Sequence, residues 1–218
     1  MKRFALFALL AALVLPGVAQ ASDIGLEAHA STLGIGGELN YSLNSYFTTR
    51  LDFNRYNYSY TGTKEQIAYD FDLHLKSYAW MVDWHPFAGS FRVTGGVFSN
   101  KNEIDAVAVP QGSYTINGHT YTAAQVATLY GTIGFDPTVP YLGFGWSSNG
   151  TTGSGFGVSL DLGVLFQGSP KVQLNATGAV STQSQFKQDL AAEQVKVQND
   201  VNSYKTYPVV TVGVSYRF

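Results

Sequence analysis

Val209-Val210-Thr211-Val212-Gly213-Val214-Ser215-Tyr216-Arg217-Phe218 ends the chain, and its reading decides the fold. Val210, Val212, Val214, Tyr216 and Phe218 alternate with Val209, Thr211, Gly213, Ser215 and Arg217. Such period-2 alternation marks a strand whose two faces meet different surroundings. A soluble protein has no reason to finish that strand on an exposed phenylalanine. In a membrane barrel the apolar row faces lipid and the small polar row faces the lumen.

The same pattern recurs upstream. In the stretch from Leu33 to Leu43, Leu33, Ile35, Leu39, Tyr41 and Leu43 alternate with Gly34, Gly36, Glu38, Asn40 and Ser42. Phe156, Val158, Leu160, Leu162, Val164 and Phe166 alternate with Gly157, Ser159, Asp161, Gly163 and Leu165. Alternation alone does not separate a membrane barrel from a soluble sandwich, whose apolar rows turn inward. Loop lengths do. Eight strands are predicted at 23–30, 33–43, 46–60, 67–84, 91–103, 129–147, 155–167 and 204–218. Connections after strands two, four and six are short, and those after three, five and seven are longer. The tight turn at Ser31-Thr32 breaks the rule. Short turns on one side and long loops on the other is the outer-membrane arrangement, with both termini on the periplasmic side.

Composition agrees with this reading. Of 218 residues, 23 are Gly, 14 Tyr and 14 Phe, and only 13% are charged. There is no cysteine, so stability does not come from disulfides. The net charge of −2 argues against nucleic acid as a partner. The N-terminus reads as a bacterial signal peptide over 1–21. Met1-Lys2-Arg3 precedes an apolar run from Phe4 to Leu15, and Ala19-Gln20-Ala21 predicts cleavage before Ser22. That run is shorter than the ~20 residues a spanning helix needs. The expected fold class is therefore all-β: an eight-stranded antiparallel transmembrane up-and-down barrel, residues 22–218. A short helix is predicted in the last extracellular loop, between Ser184 and Asn202, where Phe186, Leu190, Val197 and Val201 recur at helical spacing. It is placed either over the barrel mouth as a lid or on the surface.

Aromatics gather near strand ends, with Tyr56, Tyr58 and Tyr60 towards the outer rim and Trp80, Trp84, Phe87, Phe91 and Trp146 near the inner one. Such rings favour the headgroup layer, and packing of Tyr78, Trp80 and Trp84 inside the barrel is the alternative. Strands four and six switch their apolar bulk from odd to even positions. In strand six the switch straddles Asp136-Pro137-Thr138-Val139-Pro140, where a bulge would swap the faces.

The charges assigned to the lumen are Glu38, Arg50, Asp52, Asp70, Asp72, His74, Lys76, Arg92, Asp161 and Arg217. Buried ions of both signs must pair, which suggests either a salt-bridged plug or a narrow path for small solutes. Enzymatic chemistry has little support. Asp70, Asp72 and His74 share one strand face, as a protease site would need, but Lys76 in the same row suits an ion-pair ladder. No serine lies beside a histidine in a nucleophile motif, and no spacing suits a metal. Neither cofactor nor catalytic residue is expected.

Several segments resemble the CarO-type outer-membrane proteins: Pro140-Tyr141-Leu142-Gly143-Phe144-Gly145-Trp146, Gly168 through Leu174, Ile116-Asn117-Gly118-His119-Thr120-Tyr121, and the stretch from Glu193 through Tyr204 to Pro208. That family is linked to carbapenem susceptibility and to uptake of ornithine and other basic amino acids. The resemblance implies an eight-stranded barrel with large external loops and a role in passage of small solutes. The expected partners are outer-membrane lipid and lipopolysaccharide, small solutes, and the barrel assembly machinery, which reads terminal residues of the kind seen at Tyr216 and Phe218. A second expectation is adhesion through loops 104–128 and 168–203. A third is a lipid-modifying or proteolytic enzyme.

Overall fold

A computed structural model describes residues 23–64 and 67–218; the expected signal peptide lies outside them. Thirteen strands and one helix are formed among these residues. Eight strands close a barrel: β1 (Ile24–Ser31), β2 (Gly34–Asn44), β3 (Phe47–Lys64), β4 (Ile67–Trp84), β5 (Phe91–Asn100), β10 (Thr138–Ser147), β11 (Gly155–Leu165) and β13 (Tyr207–Arg217). Each pairs antiparallel with the next, and β13 returns to β1 with Gly25 opposite Arg217. Closure leaves no open edge in the barrel.

The barrel wears its apolar side outward. Leu26, Leu39, Leu51, Trp80, Leu142, Phe144, Val158 and Val212 are exposed, while Glu27, Glu38, Arg50, Asp83, Arg92 and Asp161 are buried within. A soluble sandwich would show the reverse. On β11 the outward row runs from Phe156 to Phe166, and ten steps of ~3.3 Å at about 40° of tilt rise about 25 Å, the height of an outer-membrane apolar belt. Aromatics ring the lower rim. Phe91 packs on Phe87 and Trp146, and Tyr216 packs on Phe156 and Phe218, all at 5.0–6.3 Å between centroids. Tyr78, Trp80 and Trp84 all face outward, so none packs inside the barrel.

One side of the barrel continues upward as a wall. The upper halves of β3 and β4 are joined by β6 (Glu103–Pro110), β9 (Thr128–Gly134) and β12 (Lys171–Thr177). Strand five thus runs on to Pro110 and strand seven resumes at Lys171, so loops 104–128 and 168–203 are largely ordered sheet and helix. At the top, β7 (Ser113–Ile116) and β8 (His119–Thr122) form a hairpin. Its turn residues, Asn117 and Gly118, both take positive φ, 47° and 83°, as a two-residue hairpin turn requires.

The helix α1 (Ser184–Val201) does not cover the barrel mouth; it lies along the open edge of β12. The Gln198 side chain accepts from the Val172 N–H at 3.0 Å and donates to the Pro170 carbonyl at 2.7 Å. Gln194 accepts from the Leu174 N–H at 3.2 Å. These amides satisfy the edge as a neighbouring strand would. Phe186 is buried beside Tyr121, Val126, Val180 and Ile116, and Leu129 and Ala176 at the top of the wall pack against them.

The bulge expected at Asp136–Pro140 is absent from the β5/β6 side. Ser99 pairs with Thr138 and Glu103 with Gly134, four steps on either strand, so the register is unbroken. Odd residues face inward both below and above the prolines. The irregularity lies instead on the partner strand. Between Tyr141↔Leu165 and Gly134↔Lys171 there are seven steps on one strand and six on the other. The inward row changes from Leu165 to Val172 across Phe166–Pro170, where Gly168 has φ +70°.

Candidate functional site

The interior of the barrel is built in two layers. The upper one is apolar: Leu33, Ala79, Met81, Phe98, Val139, Tyr141, Leu165 and Val209 pack together across the lumen. Phe98 and Tyr141 rings meet at 5.2 Å. Leu33 comes from the β1–β2 turn, folded in so that 1% of it is exposed. That turn needs Gly34 at φ +118°, and a Cβ there would strike the Arg55 carbonyl. Tyr207 Oη donates to the Thr32 carbonyl at 2.7 Å, and Thr32 Oγ1 donates to the Pro208 carbonyl at 3.0 Å.

The lower layer is ionic, and Arg50 is its hub. Its guanidinium meets Glu38 at 2.9 Å, Asp83 at 2.7 and 2.9 Å, and Asp161 at 3.6 Å. Arg92 grips Asp161 with two bonds, 3.0 and 2.6 Å, the fork geometry that suits guanidinium and carboxylate. Thr94 donates to Asp83 at 2.7 Å and Ser159 to Glu27 at 2.7 Å. His29 Nε2 lies 2.9 Å from Asn54 and 3.4 Å from Asp52. Arg217 donates to the Thr151 carbonyl at the floor. Glycines on the inward rows make room for these ions. A Cβ on Gly213 would collide with the Glu27 carboxylate, and one on Gly145 with that of Asp161.

Of the residues assigned to the lumen from sequence, Glu38, Arg50, Asp52, Arg92, Asp161 and Arg217 gather here. Asp70, Asp72, His74 and Lys76 do not. They lie on the outward row of β4, in or beside the wall, where Ser59 donates to Asp72 at 2.5 Å and His74 lies 3.5 Å from Asn57 and 3.9 Å from Asp105. The Asp70-Asp72-His74 row is thus an exposed sheet surface. Sequence reasoning missed Glu27, His29 and Asp83. Glu27 and His29 were readable, because Gly25-Glu27-His29 alternates with Leu26-Ala28-Ala30 on β1. Asp83 was masked by its tryptophan neighbours on β4.

With these changes the shaft holds five carboxylates, Glu27, Glu38, Asp52, Asp83 and Asp161, against three arginines, Arg50, Arg92 and Arg217. Two small pockets open in it, each with room for about one water. Arg50 lines both and divides them. No group of acidic and histidine side chains among the described residues has the arrangement of a metal site.

Tyr56, Tyr58 and Tyr60 stand above the rim rather than in a girdle. They continue the inward row of β3 beyond Asn54, on the inner face of the wall, opposite Leu75, Leu73 and Phe71. Higher still, the carboxylate of Asp189, 1% exposed, ties α1 to the β7–β8 hairpin. It accepts from Tyr121 at 2.5 Å, Gln185 at 3.1 Å and Asn117 at 3.2 Å, with His119 Nδ1 at 3.0 Å. The Tyr121 hydroxyl bond, then those of Asn117 and Gln185, hold the Asp189 carboxyl below its ordinary range. The same bond pushes the Tyr121 phenol up to about 12.

No protein-family model matches the chain, and no curated protein does. Among solved structures, the crystal structure of Acinetobacter baumannii CarO matches with 25% identity and TM-score 0.58, over 90% of this chain and 98% of that one. Acinetobacter baumannii CarO2 matches with 24% identity and TM-score 0.59, over 91% of this chain and all of that one. With its closed eight-stranded cylinder, outward apolar belt and likeness over nearly its whole length, the chain is a β-barrel of the outer-membrane kind, similar in fold to the CarO structures.

Proposed function

We propose that this protein is a closed barrel that anchors a folded wall and helix on the outer face of the membrane, rather than an open pore. The observation that carries the reading is the double seal of the lumen. An apolar plug from Leu33 to Val209 lies over an ionic layer centred on Arg50, and two pockets beside them each take about one water. Purified protein in planar bilayers should show no conductance steps at any voltage, and vesicles containing it should not swell in small amino acids. Steps of uniform size in the unaltered protein would sink the proposal.

One observation favours a second reading, a gated path for small solutes. Leu33 is the member of the apolar plug that sits on a turn instead of a barrel strand or its end. It can leave without unzipping the sheet, and beneath it the shaft carries more acid than base. A hydrophobic constriction of this kind opens by wetting. Leu33→Ala should then conduct where the parent is silent. Silence of that variant, with its barrel intact, confines the role to anchoring.

A further inference from the structure

A row of three cations crosses the outside of the barrel just where its apolar belt ends. Arg55 of β3 lies directly opposite Lys76 of β4, and the Lys101 N–H, at the junction of β5 and β6, donates to the Lys76 carbonyl at 2.9 Å. All three are on the outward face, since Asn54, Ser77, Asn100 and Asn102 beside them are buried inside. The next outward positions below are Phe53 and Tyr78, whose rings pack at 5.2 Å. The Lys76 ammonium sits 5.7 Å from the Tyr78 ring centre. Outward residues above them are polar: Asn57, His74 and Glu103.

This arrangement works against itself when left alone. Side chains directly opposite on antiparallel strands stand about 5 Å apart at Cβ, and like charges there destabilise the pair. Yet Arg55, Lys76 and Lys101 take part in no ion pair among the described residues. Lys171 on the same molecule does find a carboxylate, Asp136 at 2.7 Å. An anion lying across the row removes the repulsion, and its height decides which anion. The row meets water above and hydrocarbon below, the level of the lipid headgroups.

We propose that Arg55, Lys76 and Lys101 form a binding site for the phosphate of an outer-leaflet lipid headgroup, with its acyl chains lying on Phe53, Tyr78 and the apolar rows beneath. Guanidinium grips phosphate with two parallel bonds, and the two ammonium groups add point charge. The lipid tail supplies what a free anion lacks at so exposed a place: it holds the phosphate at the row. The site is independent of whether the lumen conducts.

The test is equilibrium binding of bis-phosphorylated lipid A, and of the same lipid with its phosphates removed, to the full-length mature protein in neutral detergent. The parent should prefer the phosphorylated lipid by about tenfold, less at high salt. The R55Q/K76Q/K101Q protein should lose that preference, and K171Q should keep it. Heat-resistant migration on a gel checks that each variant is folded. Should the triple variant not fold, R55Q and K101Q singly must each lower the preference. Equal binding of the two lipids by the parent overturns the proposal. So does displacement of the lipid by inorganic phosphate at comparable concentration, which would mark a free-anion site.

Discussion

β4 is one unbroken strand with two opposite characters. From Ser77 to Asp83 its inward row is Ser77, Ala79, Met81 and Asp83, and its outward row holds Tyr78, Trp80, Val82 and Trp84. From Tyr69 to Leu75 the inward row is Tyr69, Phe71, Leu73 and Leu75, while Asp70, Asp72 and His74 face out. No residue is inserted between the halves, because the pairing with β3 holds one register from Phe47↔Trp84 to Lys64↔Ile67. The ribbon keeps its faces and the surroundings change. Below the rim, hydrocarbon surrounds the barrel and polar groups go inside. Above it, water surrounds the wall and the apolar row turns to the inner side. The point where the pattern inverts therefore marks the membrane surface, between Lys76 and Tyr78 on this strand.

The strongest way to break that comparison is to remove a charge from inside the barrel. Arg50→Ala leaves Glu38 buried without a partner and Asp83 with only the Thr94 hydroxyl, while Asp161 keeps Arg92, a loss of about 3–5 kcal/mol. Urea titration in lipid vesicles should show it, whereas Arg55→Ala, on the outward row of the same strand, should cost about 0.5 kcal/mol or less. A parallel pair sharpens the boundary itself. Leu51→Arg puts a cation on the lipid face near the middle of the belt and should cost about 2–4 kcal/mol. Ser59→Arg lies on the same face above the rim and should be close to neutral. Equal costs for Leu51→Arg and Ser59→Arg would mean that the rim has been drawn at the wrong height.

The two inversions were visible in the sequence as shifts of apolar bulk in strands four and six, but their cause was not. A bulge and a change of solvent produce the same switch in a one-dimensional pattern, and Asp136-Pro137 offered an obvious place for a bulge. The pairings of Glu103 with Gly134 and Ser99 with Thr138 separate the two explanations. The same ambiguity misplaced four site residues. Asp70, Asp72, His74 and Lys76 were read as lumenal because they oppose an apolar row, which is right below the rim and reversed above it. Glu38, Arg50 and Asp52 raised no such problem, since β2 and β3 alternate cleanly there. The helix at Ser184–Val201 was legible from spacing, but not its berth. The Gln194 and Gln198 contacts with β12 depend on a strand hidden in a loop rich in polar residues.

The smallest effect expected concerns the buried charge of the upper half. The barrel spreads its buried ions over several carboxylates and arginines, whereas the hairpin–helix unit, beside its apolar cluster, gathers its polar contacts on one buried carboxylate, Asp189, whose shortest bond comes from Tyr121. The Asp189 carboxyl titrates below its unfolded value of about 3.9. Its contribution is therefore complete above that value and is lost as pH falls through the folded one. Tyr121 titrates at about 12, above the unfolded ~10. Its contribution is complete below pH ~10 and is lost as pH climbs towards 12. The hairpin Ser113–Thr122 should thus stay docked between about pH 4 and 10 and loosen on either side. Amide exchange corrected for its intrinsic pH dependence measures this. Protection of the hairpin should fall at both extremes while amides of β2 and β11 hold. Tyr121→Phe should cut the alkaline arm back to the share of Tyr114, whose phenol burial also pushes up to about 12, and should weaken the acid arm, because the Tyr121 bond is the largest cause holding Asp189 down. If hairpin and barrel lost protection together at each extreme, the two halves would form one cooperative unit, and the division at the rim would describe polarity without describing stability.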